Sequence, residues 1–358
     1  METAFQFNKF VTGKNFIGRK RDCAVLAEYI AAGEHVVIAE PIKTGKMSLV
    51  RQVLSTMSAP PVAVYVNMVN VREIEQFITV YRNATLTAFA SSTAEREALS
   101  ARYASDFAIS GPESMDDVLT LPFRICRDTG RKAVIIFEEF QTIRESKDPD
   151  ELLYQPIART IDTYARNTPC VFIFLGSRCN AMDGIFGRGT IFWKRINRLS
   201  LSEITEAEIT EHILKGFSIS GKVVDRELLH RLCSIFRNNI WYINHFFFIC
   251  DSLSKGYISE ITFKDSLSAM LAVHSPRFYG TMDSLTEFQI RFLKAVCDGV
   301  VKFSTSQVME EYDLSSSANV IRLKTAMMRK EILVFGENDE PRITDPLFEY
   351  WLKKFYFV

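Results

Sequence analysis

The sequence has no excess charge of either sign, no long apolar run and no signal-peptide pattern. Its 358 residues include 43 basic and 43 acidic side chains, so the formal net charge is 0. This neutrality gives no global electrostatic reason to expect binding to nucleic acid or to a membrane. The nearest approach to a membrane span, 240–250, is interrupted by Asn244 and His245 and is shorter than the roughly 18 residues that a span requires. We therefore expect a cytoplasmic protein.

Paired cysteines and regularly spaced histidines are also missing. The number of cysteines is odd and no C-x-x-C pair occurs. The cysteines are Cys23, Cys126, Cys170, Cys179, Cys233, Cys250 and Cys297. This scatter predicts buried reduced thiols rather than a disulfide framework or a metal site. The five histidines show no ligand spacing, so we expect structural or surface roles for them.

Four short apolar runs predict β-strands, and helical patterns separate them. The runs are 36–39, 62–67, 133–137 and 170–175, and the helical segments are 19–32, 46–57, most of 70–128 and 150–166. Strands that alternate with helices predict a doubly wound parallel α/β sheet. In such sheets ligands bind at the carboxyl ends of the strands. The segment 40–48, the pair Glu138 and Glu139, and Ser177 all follow a predicted strand and are expected at that edge.

The segment 40–48, which reads E-P-I-K-T-G-K-M-S, is typical of a phosphate-binding loop with altered residues. The motif G-x-x-x-x-G-K-[ST] lies between a strand and a helix, and its backbone amides and lysine bind phosphate. Gly45 and Lys46 are kept in this sequence. Glu40 takes the place of the first glycine, and we expect it to crowd or repel a triphosphate unless its side chain points outward.

The residue after Lys46 is the second alteration in this loop. That position normally carries a hydroxyl that binds Mg²⁺. Here it is Met47, whose thioether cannot replace the hydroxyl. Ser48 is the next residue, about 100° further around the helix, so we expect it to face elsewhere.

The pattern changes from about residue 199 onward. Residues 202–272 are predicted to be helical without clear strands. From 276, helices are followed by two strand candidates, 332–335 and 342–344, which a turn-rich loop joins. Helices followed by a hairpin predict a winged helix. The predicted domains are a P-loop core at 1–198 with a leader at 1–15, a helical lid at 199–275 and a winged-helix domain at 276–358.

Five segments in this order resemble the archaeal- and Bacteroides-type ATPases of the AAA+/STAND class. They are 16–22 (F-I-G-R-K-R-D), 41–46 (P-I-K-T-G-K), 135–141 (I-I-F-E-E-F-Q), 174–177 (F-L-G-S) and 344–352 (T-D-P-L-F-E-Y-W-L). The resemblance spans roughly residues 16–356. It implies a P-loop NTPase core with a doubly wound parallel sheet, a helical lid and a winged helix.

The resemblance also implies which residues bind ATP or ADP. The implied nucleotide contacts are Ile17, Gly18, Arg19, Pro41, Ile42, Lys43, Thr44, Gly45, Lys46, Met47, Ser48 and Ser177. Lys46 would neutralise phosphate charge, and Ser177 would sense the γ-phosphate. Glu139 would orient water. Glu138 stands where an aspartate usually holds Mg²⁺, so both usual contributors to Mg²⁺ binding are altered.

Arg195 aligns with a family arginine that can approach the nucleotide. If it acts from a neighbouring subunit, the protein is a homo-oligomer. A surface arginine without a catalytic role is the open alternative.

The leading interpretation is an ATP-binding, ATPase-like molecular switch with a degenerate phosphate-binding loop. A second interpretation is a regulator or scaffold that binds nucleotide without hydrolysing it, which Glu40 and Met47 favour. The third is a DNA-binding regulator that uses the winged helix.

The candidate recognition helix of that winged helix is 315–330. Its Arg322 and Lys324 could meet DNA phosphates, whereas its apolar residues are predicted to pack in the core. Those apolar residues are Ile321, Leu323, Met327 and Met328. Because the chain is neutral overall, the sequence favours a protein partner or a structural role for this domain over DNA.

Overall fold

The computed structural model describes residues 5–103, 112–165, 168–336 and 338–358. The chain forms two compact units. The core unit comprises Arg19–Ile42 and Lys46–Ser202, and the winged-helix unit comprises Met1–Gly18, Lys43–Gly45 and Glu203–Val358. Residues Lys43–Gly45 of the predicted phosphate-binding loop therefore belong to the winged-helix unit.

The core unit contains a five-stranded parallel sheet. Its strands are β1 (Val36–Ala39), β2 (Val62–Asn67), β3 (Ala133–Glu138), β4 (Cys170–Gly176) and β5 (Asn197–Arg198). They are ordered β2-β3-β4-β1-β5, and every neighbouring pair is parallel. This sheet confirms the predicted α/β class. Strand β5 was not predicted, because a strand of two residues is too short to produce an apolar run.

Helices connect these strands, and all but the last one in this unit lie in segments that the sequence predicted to be helical. They are α1 (Lys20–Ala32), α2 (Lys46–Thr56), α3 (Ile74–Phe89), α4 (Thr93–Arg102), α5 (Pro112–Thr129), α6 (Gln155–Tyr164) and α7 (Cys179–Phe186). A 3-10 helix at Phe140–Glu145 and a π-turn at Asp150–Tyr154 complete the unit. The end of the predicted helix 150–166 lies outside the described residues.

The sheet register aligns the strand ends that the site needs. Ala39 pairs with Gly176, and Asn67 pairs with Glu138. One face of the sheet packs into an aromatic core, where the rings of Phe137 and Phe174 stack with their centroids 5.0 Å apart. Polar residues that follow β1, β3 and β4 therefore emerge at one edge of a rigid sheet.

The winged-helix unit is mainly helical. Its helices are α8 (Glu206–Ser220), α9 (Arg226–Phe236), α10 (Ile240–Leu253), α11 (Glu260–Asp283), α12 (Glu287–Cys297), α13 (Ser306–Glu311), α14 (Ser317–Arg329) and α15 (Pro346–Trp351), with a 3-10 helix at Gly13–Asn15 and a π-turn at Leu352–Tyr356. The predicted hairpin is confirmed by the antiparallel strands β8 (Leu333–Phe335) and β9 (Pro341–Ile343).

One prediction for this unit was incomplete. The segment 202–272 does contain strands, a parallel pair of two residues each: β6 (Val223–Val224) and β7 (Tyr257–Ile258). The predicted limit between lid and winged helix at 275 and 276 falls inside α11. The three-domain division stays a prediction.

Ile321 is a correction to the predicted packing of α14. Its side chain is 65% exposed, whereas Val320, Leu323 and Met327 are buried. These three recur at intervals of three and four residues and so share one helix face. Ile321 lies about 100° away from Val320 on the helix and falls outside that face.

The cysteines are unpaired in the structure, and most of them are buried, as the sequence predicted. All seven cysteines are free; Cys126, Cys170, Cys233 and Cys250 are buried, and the other three are half-buried. Within the described residues, no helix is both long and apolar enough to cross a lipid bilayer.

Candidate nucleotide-binding site

The altered loop follows β1 and leads directly into α2. The Glu40 backbone N–H donates to the carbonyl of Gly176 at 3.2 Å, which ties the start of the loop to β4. Lys43 and Gly45 adopt left-handed backbone conformations, with φ of 68° and 87°. Glycine adopts this conformation without strain, which explains why Gly45 is kept. The first turn of α2, at Lys46, therefore follows a tight loop as the motif requires.

Glu40 uses its carboxylate away from the loop. Its Oε1 accepts a hydrogen bond from the backbone N–H of Leu201 at 2.9 Å, in the segment that follows β5. We expected Glu40 to crowd a triphosphate unless its side chain points outward. The carboxylate is directed outward, to a donor in another segment.

Lys46 is folded back onto its own loop. The residue is 8% exposed, and its Nζ donates to the carbonyls of Glu40 at 2.6 Å and Pro41 at 2.9 Å. Burial lowers the pKa of Lys46, and the nearby charge of Glu139 opposes this shift. An ammonium that is buried against neutral carbonyls is electrostatically suited to receive an anion.

Glu139 lies at the predicted sheet edge and contacts Ser177, as their positions after β3 and β4 suggested. The residue turns the chain with a left-handed φ of 54°. Its Oε2 accepts hydrogen bonds from the Ser177 hydroxyl and from the Ser177 backbone N–H, the latter at 3.3 Å. A third donor, the Gln141 amide, approaches the same oxygen at 2.7 Å.

Gln141 is a site residue that the sequence did not identify. It is 2% exposed, and its Oε1 is buried and has no hydrogen-bond partner among the described residues. Leaving such an atom unpaired costs on the order of 1–3 kcal/mol. Gly176 provides the space, because a Cβ there would lie 2.6 Å from that Oε1. The sequence alone could not identify Gln141 as a site residue, because a glutamine two residues after Glu139 is not unusual in itself.

The positions that usually hold Mg²⁺ do not fit this ion. Met47 is 6% exposed and offers only a thioether, whereas Mg²⁺ takes oxygen ligands in octahedral geometry. Glu138 is half-buried; burial raises its pKa, and the charge of Arg51 opposes this shift. Among the described residues, no group of three or more His, Cys, Asp or Glu side chains could hold a metal.

Arg51 is the second residue that sequence reasoning missed. It lies on α2, and its guanidinium carbon is 4.9 Å from the centre of the Tyr65 ring. No pattern in the sequence connects Arg51 with Tyr65 or Glu138, because the three residues belong to different elements.

Arg19 and Arg195 have partners within the core unit. The Arg19 Nε donates to the Ser202 carbonyl at 3.1 Å. Arg195 forms a two-point ion pair with Asp162, with contacts of 2.9 and 3.0 Å. Since this pair holds the guanidinium at an exposed position, the nucleotide role of Arg195 stays a prediction.

The remaining predicted contacts are divided between the units. Ser48 is buried in the first turn of α2, and Ile42 is exposed at the loop. Pro41 and Thr44 are half-buried. In the winged-helix unit, Ile17 packs against the core of that unit. Gly18 has a left-handed φ of 64°, and a Cβ there would lie only 3.3 Å from Ile204 Cγ2.

Lys43 contacts aromatic residues at the start of α10. Its Nζ is 3.8 Å from the Trp241 ring centre and 4.8 Å from that of Tyr242. Burial lowers the pKa of Lys43 to about 8; Arg277 contributes to this shift and Asp345 opposes it. Trp241 and Tyr242 were not among the predicted site residues, and aromatic side chains at a helix start give no specific signal.

Comparisons with known proteins agree with this architecture. Residues 276–354 match a family described as a probable winged helix domain. No curated protein matches the sequence. The Walker-type ATPase PABY2304 of Pyrococcus abyssi is similar in structure, with a TM-score of 0.71 at 13% identity over 98% of this chain and 99% of that one.

Two further solved structures are similar at lower scores. The Aeropyrum pernix ORC2 protein in its ADP form has a TM-score of 0.59 at 11% identity, covering 96% of this chain and 93% of that one. The Aeropyrum pernix ORC1 protein in complex with DNA has a TM-score of 0.51 at 12% identity, covering 96% and 94%. At such identities the likeness shows the fold alone. The chain thus has a P-loop NTPase fold, followed by a winged-helix domain.

Proposed function

We propose that this chain binds adenine nucleotide at the loop 40–48 and acts as a nucleotide-dependent switch. The observation that carries the proposal is the placement of Lys46. A buried ammonium lies at the N-terminus of α2, and its Nζ donates to the backbone carbonyls of Glu40 and Pro41 in its own loop. The first N–H groups of a helix have no intrahelical acceptor, and they attract anions together with the helix dipole.

Phosphate would replace the carbonyls as the partner of Lys46. A charge-assisted bond to phosphate is roughly twice as strong as a bond to a neutral carbonyl. The negative charge would also offset the burial that lowers the pKa of Lys46. The Glu40 side chain does not obstruct this exchange, because its carboxylate is turned to the Leu201 N–H, although its charge still acts on Lys46.

The contact between Ser177 and Glu139 supports the switching part of the proposal. A γ-phosphate near Ser177 would compete for the hydroxyl that now donates to Glu139. Glu139 would then lose one of its three donors, which would loosen its carboxylate enough to turn and orient a water molecule. The same carboxylate would thus take one position without γ-phosphate and another with it.

Calorimetric titration of the full chain with ADP and ATP tests the binding. We expect Lys46→Ala to weaken both affinities about 10- to 100-fold, since it removes a charged hydrogen-bond donor. Lys215→Ala is the matched control, because it removes an exposed lysine that pairs with Glu211. Equal affinities of the wild type and Lys46→Ala would overturn the assignment of the loop.

Phosphate release distinguishes an ATPase from a non-hydrolysing regulator. Turnover that Glu139→Gln abolishes would support hydrolysis. No release from a folded, nucleotide-binding wild type would support the regulator, which the residues at the metal positions favour. The homo-oligomer implied by Arg195 is tested separately by measuring the mass of the particle with and without nucleotide.

Contact with DNA is a second candidate function. Arg322 is exposed on α14, and one protein of similar fold was solved in complex with DNA. Two observations oppose it. Lys324 forms an ion pair with Asp339 of the hairpin loop, and acidic residues slightly outnumber basic ones in 276–354. Salt-dependent binding to duplex DNA that is lost in Arg322→Ala with Lys324→Ala would establish this function, and no affinity at low salt would exclude it.

A further inference from the structure

Arg51 lies on the helix that begins with the loop lysine, one turn beyond the position of the missing hydroxyl. It follows Met47 by four residues, and residues at this spacing share a helix face. The rise along the helix between them is about 6 Å. Arg51 therefore belongs to the side of α2 on which a metal-binding hydroxyl would lie.

The sheet register brings Glu138 to the same side. Val66 and Phe137 are paired neighbours, and both are fully buried in the aromatic core. Side chains alternate along a strand, so Tyr65 and Glu138 point to the opposite face. The guanidinium of Arg51 covers the Tyr65 ring at 4.9 Å, which places α2 and its arginine over that face.

The charges around Glu138 agree with this placement. Burial raises the pKa of Glu138, the positive charge of Arg51 lowers it, and Glu139 raises it. A guanidinium stays protonated at all ordinary pH values. A permanent positive charge beside Glu138 repels a divalent cation there, and Met47 offers no oxygen ligand.

We propose that Arg51 takes over the electrostatic role of the divalent cation, so that this site accepts ADP or ATP as the metal-free anion. The proposal rests on the proposed nucleotide binding at the loop. Lys46 then provides one positive charge at the phosphates, and Arg51 provides a second one further along α2, on the helix face of Met47. Met47 and Glu138 replace the usual metal-binding residues, and the charge of Arg51 would allow nucleotide to bind without the metal.

Calorimetric titration of the full chain with ADP, at constant ionic strength, tests the inference with Mg²⁺ or with EDTA in the buffer. We expect Mg²⁺ to tighten binding to the wild type by no more than about threefold. We also expect Arg51→Gln to weaken metal-free binding about tenfold, because it removes a nearby charge. Arg159→Gln is the matched control, since it removes an arginine that pairs with Asp116.

Two more variants are needed. One guards against a folding defect, and the other restores the usual metal-binding residues. Arg51→Lys keeps the charge and should keep binding insensitive to Mg²⁺ even if Arg51→Gln does not fold, which circular dichroism reports. The triple variant Met47→Thr, Glu138→Asp, Arg51→Gln restores oxygen ligands and removes the competing charge. We expect Mg²⁺ to tighten ADP binding to it at least about tenfold.

The outcomes separate the two proposals. If Mg²⁺ tightens binding to the wild type by more than about threefold, the inference is wrong and nucleotide binding stands. Arg51→Gln with the affinity of Arg159→Gln would also overturn it. A folded wild type that binds ADP in neither buffer overturns the proposed function, and the inference with it.

Discussion

The phosphate-binding side and the metal-binding side of the candidate site have changed in different ways. On the phosphate side, Gly45 and Lys46 are kept, and the substitution at Glu40 is accommodated by a hydrogen bond to Leu201. On the metal side, Met47 lacks the required oxygen and Glu138 lies beside a permanent positive charge.

The difference follows from the groups that perform each task. Phosphate is bound largely by backbone amides and a helix N-terminus, so a changed side chain is tolerated when it can turn elsewhere. Mg²⁺ is bound by side-chain oxygens in fixed geometry, so a changed side chain removes the ligand itself. A degenerate loop can therefore keep anion binding while the metal-binding residues are replaced.

The largest expected effect on stability comes from Gly176→Ala. This variant tests whether the phosphate-binding side of the site depends on tight packing at the sheet edge. A Cβ there would lie 2.4 Å from Met182 Cγ and Sδ and 2.6 Å from Gln141 Oε1. We expect the free energy of unfolding to fall by up to about 3 kcal/mol, measured by urea denaturation. Gly280→Ala is the control, because nothing lies near its added Cβ. A change in unfolding free energy below about 0.5 kcal/mol would show that the residues around Gly176 can move to accommodate the added methyl group.

A smaller effect is expected from Glu40→Gly, which restores the usual loop residue. The variant loses the bond to the Leu201 N–H, so we expect a loss of about 1.5–2 kcal/mol in unfolding free energy. Nucleotide affinity should stay within about threefold of the wild type, and Glu40→Gln should keep most of the stability. A much tighter affinity in Glu40→Gly would mean that Glu40 does obstruct phosphate, and the comparison between the two sides would fail.

The pKa of Lys43, the other lysine of the loop, gives a further test of the phosphate-binding side. Burial lowers the pKa of Lys43 to about 8 from its usual value of 10.5. Between these values the unfolded chain binds more protons than the folded chain, so wild-type stability rises with pH in this window relative to Lys43→Met. We expect Trp241 fluorescence to change with a midpoint near pH 8, with Trp241→Phe and Lys43→Met as controls. A midpoint close to the usual lysine value would contradict the buried contact.

The smallest effect is expected at the winged helix, where Lys324 pairs with Asp339. We expect Lys324→Ala to change the unfolding free energy by less than about 1 kcal/mol, because the aspartate is exposed. If duplex DNA binds at low salt, Asp339→Asn should increase the affinity by freeing the lysine, which fluorescence anisotropy measures. Strong DNA binding that Lys324→Ala alone abolishes would show that the ion pair does not mask the lysine.

The sequence was sufficient to predict the elements that depend on local pattern. The apolar runs predicted β1 to β4, and parallel topology then implied that Lys46, Glu139 and Ser177 lie at one sheet edge. It could not reveal β5, the exposure of Ile321 or the outward direction of Glu40. These depend on short pairings, on helix phase and on a donor more than 150 residues away.

By itself, the sequence determined the fold class and the chemistry of the loop, because periodicity and residue type act over a few neighbouring residues. Only the tertiary structure decided that Gln141 holds Glu139, that Lys43 rests on Trp241 and that Arg51 lies over Tyr65. The first contact depends on how the chain turns after β3, and the other two join separate elements. Their geometry is set by sheet register and helix packing, which no single stretch of sequence specifies.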